Sequence, residues 1–269
     1  FMAYSERPSH REYSNTRLID STHKLPKLIK FAEKSGMKGI AITDHECLSG
    51  HMKANVLAEE IQKTNPNFKV MLGNEIYLIP EASYKNTDNF FHFILIAKDA
   101  TGHRQIRELS SLAWERSYRH KGTERVPTFY SHIQYIIGNN PAHVIASTEF
   151  IVKFLSQCIL NDRVDLAESF LLWANTTISS GYFYIEIQPV VSKEQILVNK
   201  TSILLAEKLG IPCIVTNDVH YLTQQQAKIH AAFLNSKEEE REVEAFYSGT
   251  YFKTEEEMIE NLDYLEQDT

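Results

Sequence analysis

Short apolar segments alternate with amphipathic helical segments along most of this 269-residue chain. Apolar runs of about four to eight residues bounded by turn residues are typical of buried strands, whereas apolar positions spaced three and four apart predict helices. The predicted strands cover residues 39–43, 91–97, 143–147, 182–188 and 212–216. Residues 69–72 and 76–79 are predicted as a strand pair or as one long strand around Gly73. The predicted helices cover residues 25–35, 52–63, 101–118, 149–160, 162–174, 194–209 and 224–235. This alternation predicts a parallel sheet and, at this length, an α/β barrel.

Composition limits the class of protein. With 43% hydrophobic residues the chain can bury a full core, and its net charge of −7 argues against a surface that coats nucleic acid. A nucleic-acid enzyme stays possible, because metal ions can supply positive charge at a phosphate. Cys47, Cys158 and Cys213 form no CxxC motif, which predicts neither a disulfide framework nor a cysteine zinc site. We therefore expect a protein of the reducing cytoplasm, without a membrane span.

Imidazole and carboxylate side chains lie at or near the ends of four apolar runs. His45 follows the first run, Glu75 and His92 lie in the next two, and Asp218 and His220 follow the last. Residues i and i+2 of an extended segment share a face, so Asp218 and His220 can reach one ion. Parallel α/β barrels carry their chemistry at the C-terminal ends of the strands. This combination of side chains at one edge predicts a divalent-metal site.

Several of these residues also have a simpler interpretation. His45 alone is more typical of a helix N-terminal or loop histidine than of a ligand. His92 alone is equally a core histidine, although it points to the opposite side of its strand from Phe91 and Phe93. The stretch 116–125 is locally basic and contains an aromatic residue, which is typical of an exposed loop or of a nucleic-acid contact. The remaining histidines are predicted to be surface or structural residues: His23, His51, His103, His120, His132, His143 and His230.

The N-terminal region adds three candidates. His10 and Asp20 have the right chemistry for further metal ligands. Arg17 lies between them and is predicted to clamp a phosphate, with a surface ion pair as the alternative.

Seven motifs in the chain match a known pattern. They cover residues 10–14 (His-Arg-Glu-Tyr-Ser), 36–45, 73–77 (Gly-Asn-Glu-Ile-Tyr), 92–102, 183–188 (Phe-Tyr-Ile-Glu-Ile-Gln), 216–221 (Thr-Asn-Asp-Val-His-Tyr) and 251–258. With these motifs the chain resembles the polymerase-and-histidinol-phosphatase (PHP) family, and more narrowly the N-terminal PHP domain of bacterial and phage DNA polymerase III alpha subunits. The resemblance implies a distorted, TIM-barrel-like (β/α)7 barrel with up to three divalent metals, Zn, Mn, Fe or Mg, at one rim.

The resemblance also implies a domain organisation. Residues 1–269 would form a single PHP domain, with the barrel at about 8–235. The acidic segment 236–269 would lead toward the polymerase core, and this chain would be a fragment of that larger polymerase.

The family's ligand positions carry over residue by residue. The matching residues are His10, His45, Glu75, His92, Asp218 and His220. Asp20 matches only after a three-residue insertion, Asn15-Thr16-Arg17, which favours phage or mobile-element polymerases. Two positions depart from the family: Pro8 replaces the first histidine of the usual His-x-His pair, and Glu149 stands where the family has a cysteine. Glutamate can ligate a hard cation, whereas Pro8 removes a ligand.

The resemblance implies a metal-dependent phosphoesterase that acts on a DNA 3′ end or on pyrophosphate, with His45, Asp218 and Arg17 as catalytic residues. Its partners would be DNA, the other polymerase III alpha domains and other replisome subunits. One alternative is a metal-poor scaffold that stabilises the polymerase or docks a proofreading subunit, which the loss at Pro8 favours. The other is a stand-alone phosphatase of the histidinol-phosphatase kind.

Overall fold

The structure, a computed structural model, describes residues 2–4, 24–87, 90–121, 123–148, 154–234 and 249–265. Residue contacts divide the chain into two compact units. The first unit contains residues 1–72 and 216–269, and the second contains residues 73–215. Within the described ranges, no helix is long and apolar enough to cross a bilayer.

Strands and helices alternate along the chain, mostly as predicted. The strands are β1 (Met2–Tyr4), β2 (Gly39–Ile42), β3 (Lys69–Ile79), β4 (Phe91–Ala97), β5 (Tyr118–His120), β6 (Thr123–Arg125), β7 (Pro127–Phe129), β8 (Val144–Thr148), β9 (Phe183–Ile187), β10 (Cys213–Val215) and β11 (Asn217–Asp218). The helices are α1 (Leu25–Lys34), α2 (His51–Gln62), α3 (Ala100–Glu115), α4 (Tyr130–Ile133), α5 (Phe154–Leu160), α6 (Val164–Ile178), α7 (Lys193–Leu209), α8 (Ala227–Leu234) and α9 (Glu255–Glu260). A π-helical turn (Gln134–Gly138) follows α4.

The first unit is built on a parallel sheet with the strand order β11-β1-β2-β3. Its helix α1 begins with Pro26 in the first turn, where a missing backbone N–H costs little, and buries Leu28 and Ile29. These side chains pack with Ile40 and Ile42 of β2 in one hydrophobic cluster. Removing this apolar surface from water stabilises the unit by about 25 cal/mol per Å².

Residues 249–253 belong to the same unit. The backbone N–H of His220 donates to the Thr250 carbonyl at 2.8 Å, and that of Phe252 donates to the Tyr221 carbonyl at 3.0 Å. The Asn217 side chain donates to the Tyr251 carbonyl at 2.7 Å. These bonds hold residues 217–221 against residues 250–252. Part of the acidic C-terminal region therefore belongs to the core of this unit, where Phe252 is buried.

Lys253 ends this segment with a buried amino group. Its side chain is 2% exposed, donates to the Gly249 carbonyl and to Asn217 Oδ1 at 3.4 Å, and lies 4.7 Å from the centre of the Tyr251 ring. Burial lowers the pKa of Lys253 to about 8, against the opposing effect of Glu257 and Asp218. Keeping the Lys253 amino group protonated in the folded state therefore lowers the free energy of unfolding.

The second unit has the strand order β3-β4-β8-β9-β10, and β7 also pairs with β3. The prediction of an all-parallel sheet is wrong at β4, which runs antiparallel to both β3 and β8. A parallel connection needs a crossover of about a dozen or more residues, usually a helix. The described part of the connection from β3 to β4, residues 80–87 with 90, contains a single turn of 3-10 helix (Glu81–Ser83), so the chain reverses direction.

Three strands of the second unit were not predicted. β5, β6 and β7 have three residues each, too few to show a periodic pattern. Around Gly73 the sequence predicted either a pair of strands or one long strand, and the structure has the long strand, β3. The prediction of helix up to residue 118 is also too long, because α3 ends at Glu115.

Gly102 sets how closely α3 approaches the chain before β8. A Cβ atom at this position would lie 1.9 Å from the His143 carbonyl oxygen, so only glycine fits there. We expect Gly102→Ala to lower the free energy of unfolding by about 1–3 kcal/mol, because the backbone atom it meets cannot move away freely. Chemical denaturation measures the change. The exposed Glu108→Ala on the same helix is the control, and equal stability of the two variants would contradict the close packing.

The buried Lys253 predicts a pH dependence of stability. Between pH 8 and about 10, the unfolded chain holds a proton on Lys253 that the folded chain has released, so stability should rise with pH by roughly 2 kcal/mol. Lys253→Met should lack this rise. Denaturation of both proteins across that range, with chelator present, measures the difference. Above pH 10 the pKa of Tyr251, raised to about 12 chiefly by burial, acts in the opposite direction. Identical pH profiles would show that the Lys253 amino group is not buried.

Candidate metal centre

Glu75 and His92 form a buried pair on two neighbouring strands of the second unit. In the β3–β4 ladder, Tyr77 lies opposite His92 and Glu75 lies opposite Ile94, which puts Glu75 and His92 diagonally on one face of the sheet. His92 Nδ1 contacts Glu75 Oε1 directly. The Glu75 side chain is 3% exposed and that of His92 is 11% exposed. Both belong to a group of side chains with ligand atoms close enough to hold a metal ion.

The opposite face of β4 is apolar. Phe93 packs against Phe170 of α6 and Phe183 of β9, with ring centres 6.1 and 6.0 Å away, whereas the His92 ring lies 4.3 Å from that of Tyr77. His92 thus points away from Phe93, as the sequence predicts. His92 lies near the start of β4, whereas the sequence predicted ligands near the C-terminal ends of the strands. Because β4 is antiparallel, its start lies beside the C-terminal halves of β3 and β8, and His92 still reaches Glu75.

A second buried acid lies on the same face of this sheet. Ser147 of β8 is opposite Ile94, and its hydroxyl donates to Glu186 Oε1. The amide of Gln188 donates to Glu186 Oε2 at 3.1 Å. Sequence reasoning used Glu186 only as part of a family motif. The weak alternation of this strand puts residues 184, 186 and 188 on one face, and this is the sequence signal that points to Glu186.

In the first unit, Asp218 and His220 lie close together at the end of β11. His220 Nδ1 is 3.6 Å from Asp218 Oδ2. The ring of His230 packs 5.4 Å from that of His220, and His230 is 0% exposed. Sequence spacing does not indicate this contact, because His230 lies on α8, in a separate helical pattern.

His45 lies just beyond β2, also in the first unit, and is half-buried. Asp44 and Glu46 on either side of it are buried. Glu46 has a φ of +53°, a left-handed conformation that costs a non-glycine residue about 1–3 kcal/mol and is concentrated at functional sites. In the sequence, Asp44 and His45 together end the apolar run, but only His45 was predicted as a ligand, and Glu46 was not considered.

Four of the predicted site residues lie outside the described ranges. They are His10, Arg17, Asp20 and Glu149, and Pro8 lies there too. Their roles stay predictions.

The chemistry of the described side chains suits a divalent ion. Burying a carboxylate is costly unless it is paired or bound to a metal, and Glu75 is among the most enclosed acids in the second unit. Imidazole nitrogen with carboxylate oxygen is a donor set for Zn, Mn or Fe, and carboxylate oxygen also suits Mg. Glu75 with His92, and Asp218 with His220, each supply this combination.

Comparison with known proteins identifies the relatives of the chain. The model of the PHP domain matches residues 9–189. The chain is 38% identical to the DNA-directed DNA polymerase of Bacillus phage SPbeta, over 96% of this chain and 22% of the relative. It is 30% identical to DNA polymerase III subunit alpha of Thermus aquaticus, over 84% of this chain and 18% of the relative. The chain therefore spans about a fifth of the length of these polymerases.

Among solved structures, the chain is similar to an amidohydrolase from Chromobacterium violaceum, with a TM-score of 0.50 and 12% identity over 81% of this chain and 87% of that one. At this identity the likeness shows the fold alone. It confirms the predicted fold class, a distorted, TIM-barrel-like α/β fold. The match of the family model to more than half of the chain confirms the resemblance found in the sequence, and this chain belongs to the PHP domain family.

Proposed function

We propose that this chain is the metal-dependent phosphoesterase domain of a replicative DNA polymerase of the polymerase III alpha kind. The observation that carries the proposal is the buried Glu75–His92 pair on one face of the sheet. A carboxylate and an imidazole in contact, away from water, are arranged for a shared positive ion. The sequence relatives, which are DNA polymerases, support the assignment to a polymerase.

The proposed ligands follow the family resemblance. They are Glu75 and His92 in the second unit, and His45, Asp218 and His220 in the first. His10, Asp20 and Glu149 complete the set by family resemblance. The ions would be Zn, Mn, Fe or Mg, up to three in number.

A divalent ion held by these residues would supply Lewis acidity, which would make water nucleophilic near neutral pH and would offset charge on the phosphate. The protein supplies the rest. His92 is oriented by the Tyr77 ring, Ser147 and Gln188 hold the Glu186 carboxylate, and Arg17 is proposed to bind a phosphate oxygen. The substrate is a DNA 3′ end or pyrophosphate, and DNA and the remaining polymerase domains are the partners.

Glu75→Gln tests this function directly. It keeps the size of the side chain but removes the charge, so we expect metal content to fall. Metal-dependent release of nucleotide or phosphate should drop at least as far as the roughly 10- to 100-fold lost when a group that merely supports a ligand is removed. Elemental analysis and hydrolysis of 3′-labelled DNA and of pyrophosphate with added Mn²⁺ measure the two effects. The exposed Glu108→Gln on α3 is the matched control. Wild-type protein no more active than Glu75→Gln would refute a phosphoesterase site.

The scaffold alternative rests on Pro8, which cannot ligate through its side chain. Under that alternative the domain keeps its fold and stabilises the polymerase or docks another subunit, with little metal of its own. A stand-alone histidinol-phosphatase-like enzyme is disfavoured, since the relatives of this chain are polymerases.

Chelation separates the two proposals. A metal present at about 100 times its Kd stabilises the folded state by about 2.7 kcal/mol. For a chain of this size, that loss lowers Tm by roughly 5–10 °C. We therefore expect EDTA to lower Tm of the wild-type protein and to have less effect on Asp218→Asn. A Tm unchanged by EDTA in metal-reconstituted protein would favour the scaffold.

A further inference from the structure

The strands β5 and β6 form a basic hairpin in the second unit. Tyr118 pairs with Arg125, and Arg119 pairs with Glu124. Lys121 lies at the turn with a φ of +47°. The segment 116–125 carries Arg116, Arg119, Lys121 and Arg125 against the single acid Glu124, a formal charge of +3 in a chain of net charge −7. Arg119 and Lys121 are exposed.

The base of the hairpin is fixed by aromatic packing. The Tyr84 ring lies 5.3 Å from that of Tyr118 and 5.4 Å from that of Phe129, in edge-to-face geometry. Tyr84 also donates its hydroxyl to the Arg116 carbonyl at 3.0 Å. These contacts join the hairpin to the hydrophobic cluster that contains Tyr77 and Phe129. The basic side chains are therefore presented from a rigid base.

A series of ring contacts and strand pairings connects the hairpin with the Glu75–His92 pair. Arg125 lies 4.9 Å above the Phe90 ring, Phe90 lies 6.0 Å from Tyr77, and Tyr77 lies 4.3 Å from His92. The strand β7 follows the hairpin and begins at Pro127, which is paired with Tyr77, and Tyr77 in turn is paired with His92. One row of contacts thus connects the basic hairpin to the candidate metal ligands.

We propose that the β5–β6 hairpin is a phosphate-binding surface that holds single-stranded DNA beside the Glu75–His92 pair. The proposal rests on the proposed function and selects among its substrates, because a surface several residues long suits a polynucleotide better than pyrophosphate. Cationic side chains bind the backbone without regard to sequence. The Tyr84 and Tyr118 rings at the base of the hairpin are half-buried, and their uncovered surface can stack on an unpaired base, which a duplex does not offer.

Binding of fluorescein-labelled oligothymidylate to the full 269-residue chain tests the proposal, with EDTA present so that no hydrolysis occurs. We expect Arg119→Glu to weaken binding on the order of tenfold at low salt, and to reduce the slope of log Kd against log salt by about 0.7 for the lost phosphate contact. Arg119→Lys, which keeps the charge, should bind nearly as the wild type does. Arg107→Glu on the exposed side of α3 is the control with the same change of charge.

Three results would overturn the proposal: no binding by the wild type at low salt, equal effects of Arg119→Glu and Arg107→Glu, or tighter binding of a duplex than of the single strand. Failure of the proposed function is distinguishable from these. If Arg119→Glu weakens binding but the wild type hydrolyses nothing with Mn²⁺, the surface stands and the phosphoesterase fails. If hydrolysis of DNA proceeds equally in wild type and Arg119→Glu, the hairpin proposal fails and the function stands.

Discussion

The contact between the buried Glu75 carboxylate and His92 constrains which side chains the second unit can place on each face of its sheet. A carboxylate this enclosed would be costly without a partner, so polar groups must lie beside it on a face that also carries Ile94. The register then puts Ser147 and Glu186 on that same face. The other face is left to Phe93 and the helices that cover it. One sheet therefore separates a hydrophobic core from a row of acids and imidazole.

In the first unit, backbone hydrogen bonds hold the candidate ligands Asp218 and His220 in place. Asp218 and His220 follow a strand of two residues, too short to hold them by itself. The segment 249–253 provides the missing hydrogen bonds, and the Lys253 amino group bonds to Asn217, next to Asp218. A buried amino group is tolerated only because carbonyl and amide oxygens surround it. Residues 249–253 lie in the acidic segment that the family resemblance assigned to a connection toward the polymerase core. In the structure they support the candidate ligands Asp218 and His220.

Much of the fold could be predicted from the sequence. Long elements such as α7 and β4 were predicted within a residue or two, because their apolar periodicity extends over several turns or pairs. The short strands β5 to β7 could not be predicted, since three residues carry no period. Glu75, His92, Asp218 and His220 stood out in the sequence by chemistry and spacing, and they stay predicted ligands. The bond from Ser147 to Glu186 and the packing of His230 against His220 join different elements of the fold, so local spacing did not indicate them.

The sequence by itself determined which residues have ligand chemistry, that strands and helices alternate, and to which family the chain belongs, because these follow from residue type and local spacing. Only the tertiary structure decided the direction of β4, the packing of His230 against His220, and the anchoring of the basic hairpin to the row of rings that ends at His92. Each of these depends on contacts between residues far apart in the chain. Local propensity does not encode such contacts, since they form only when burial of apolar surface and pairing of buried polar groups select one arrangement of the strands.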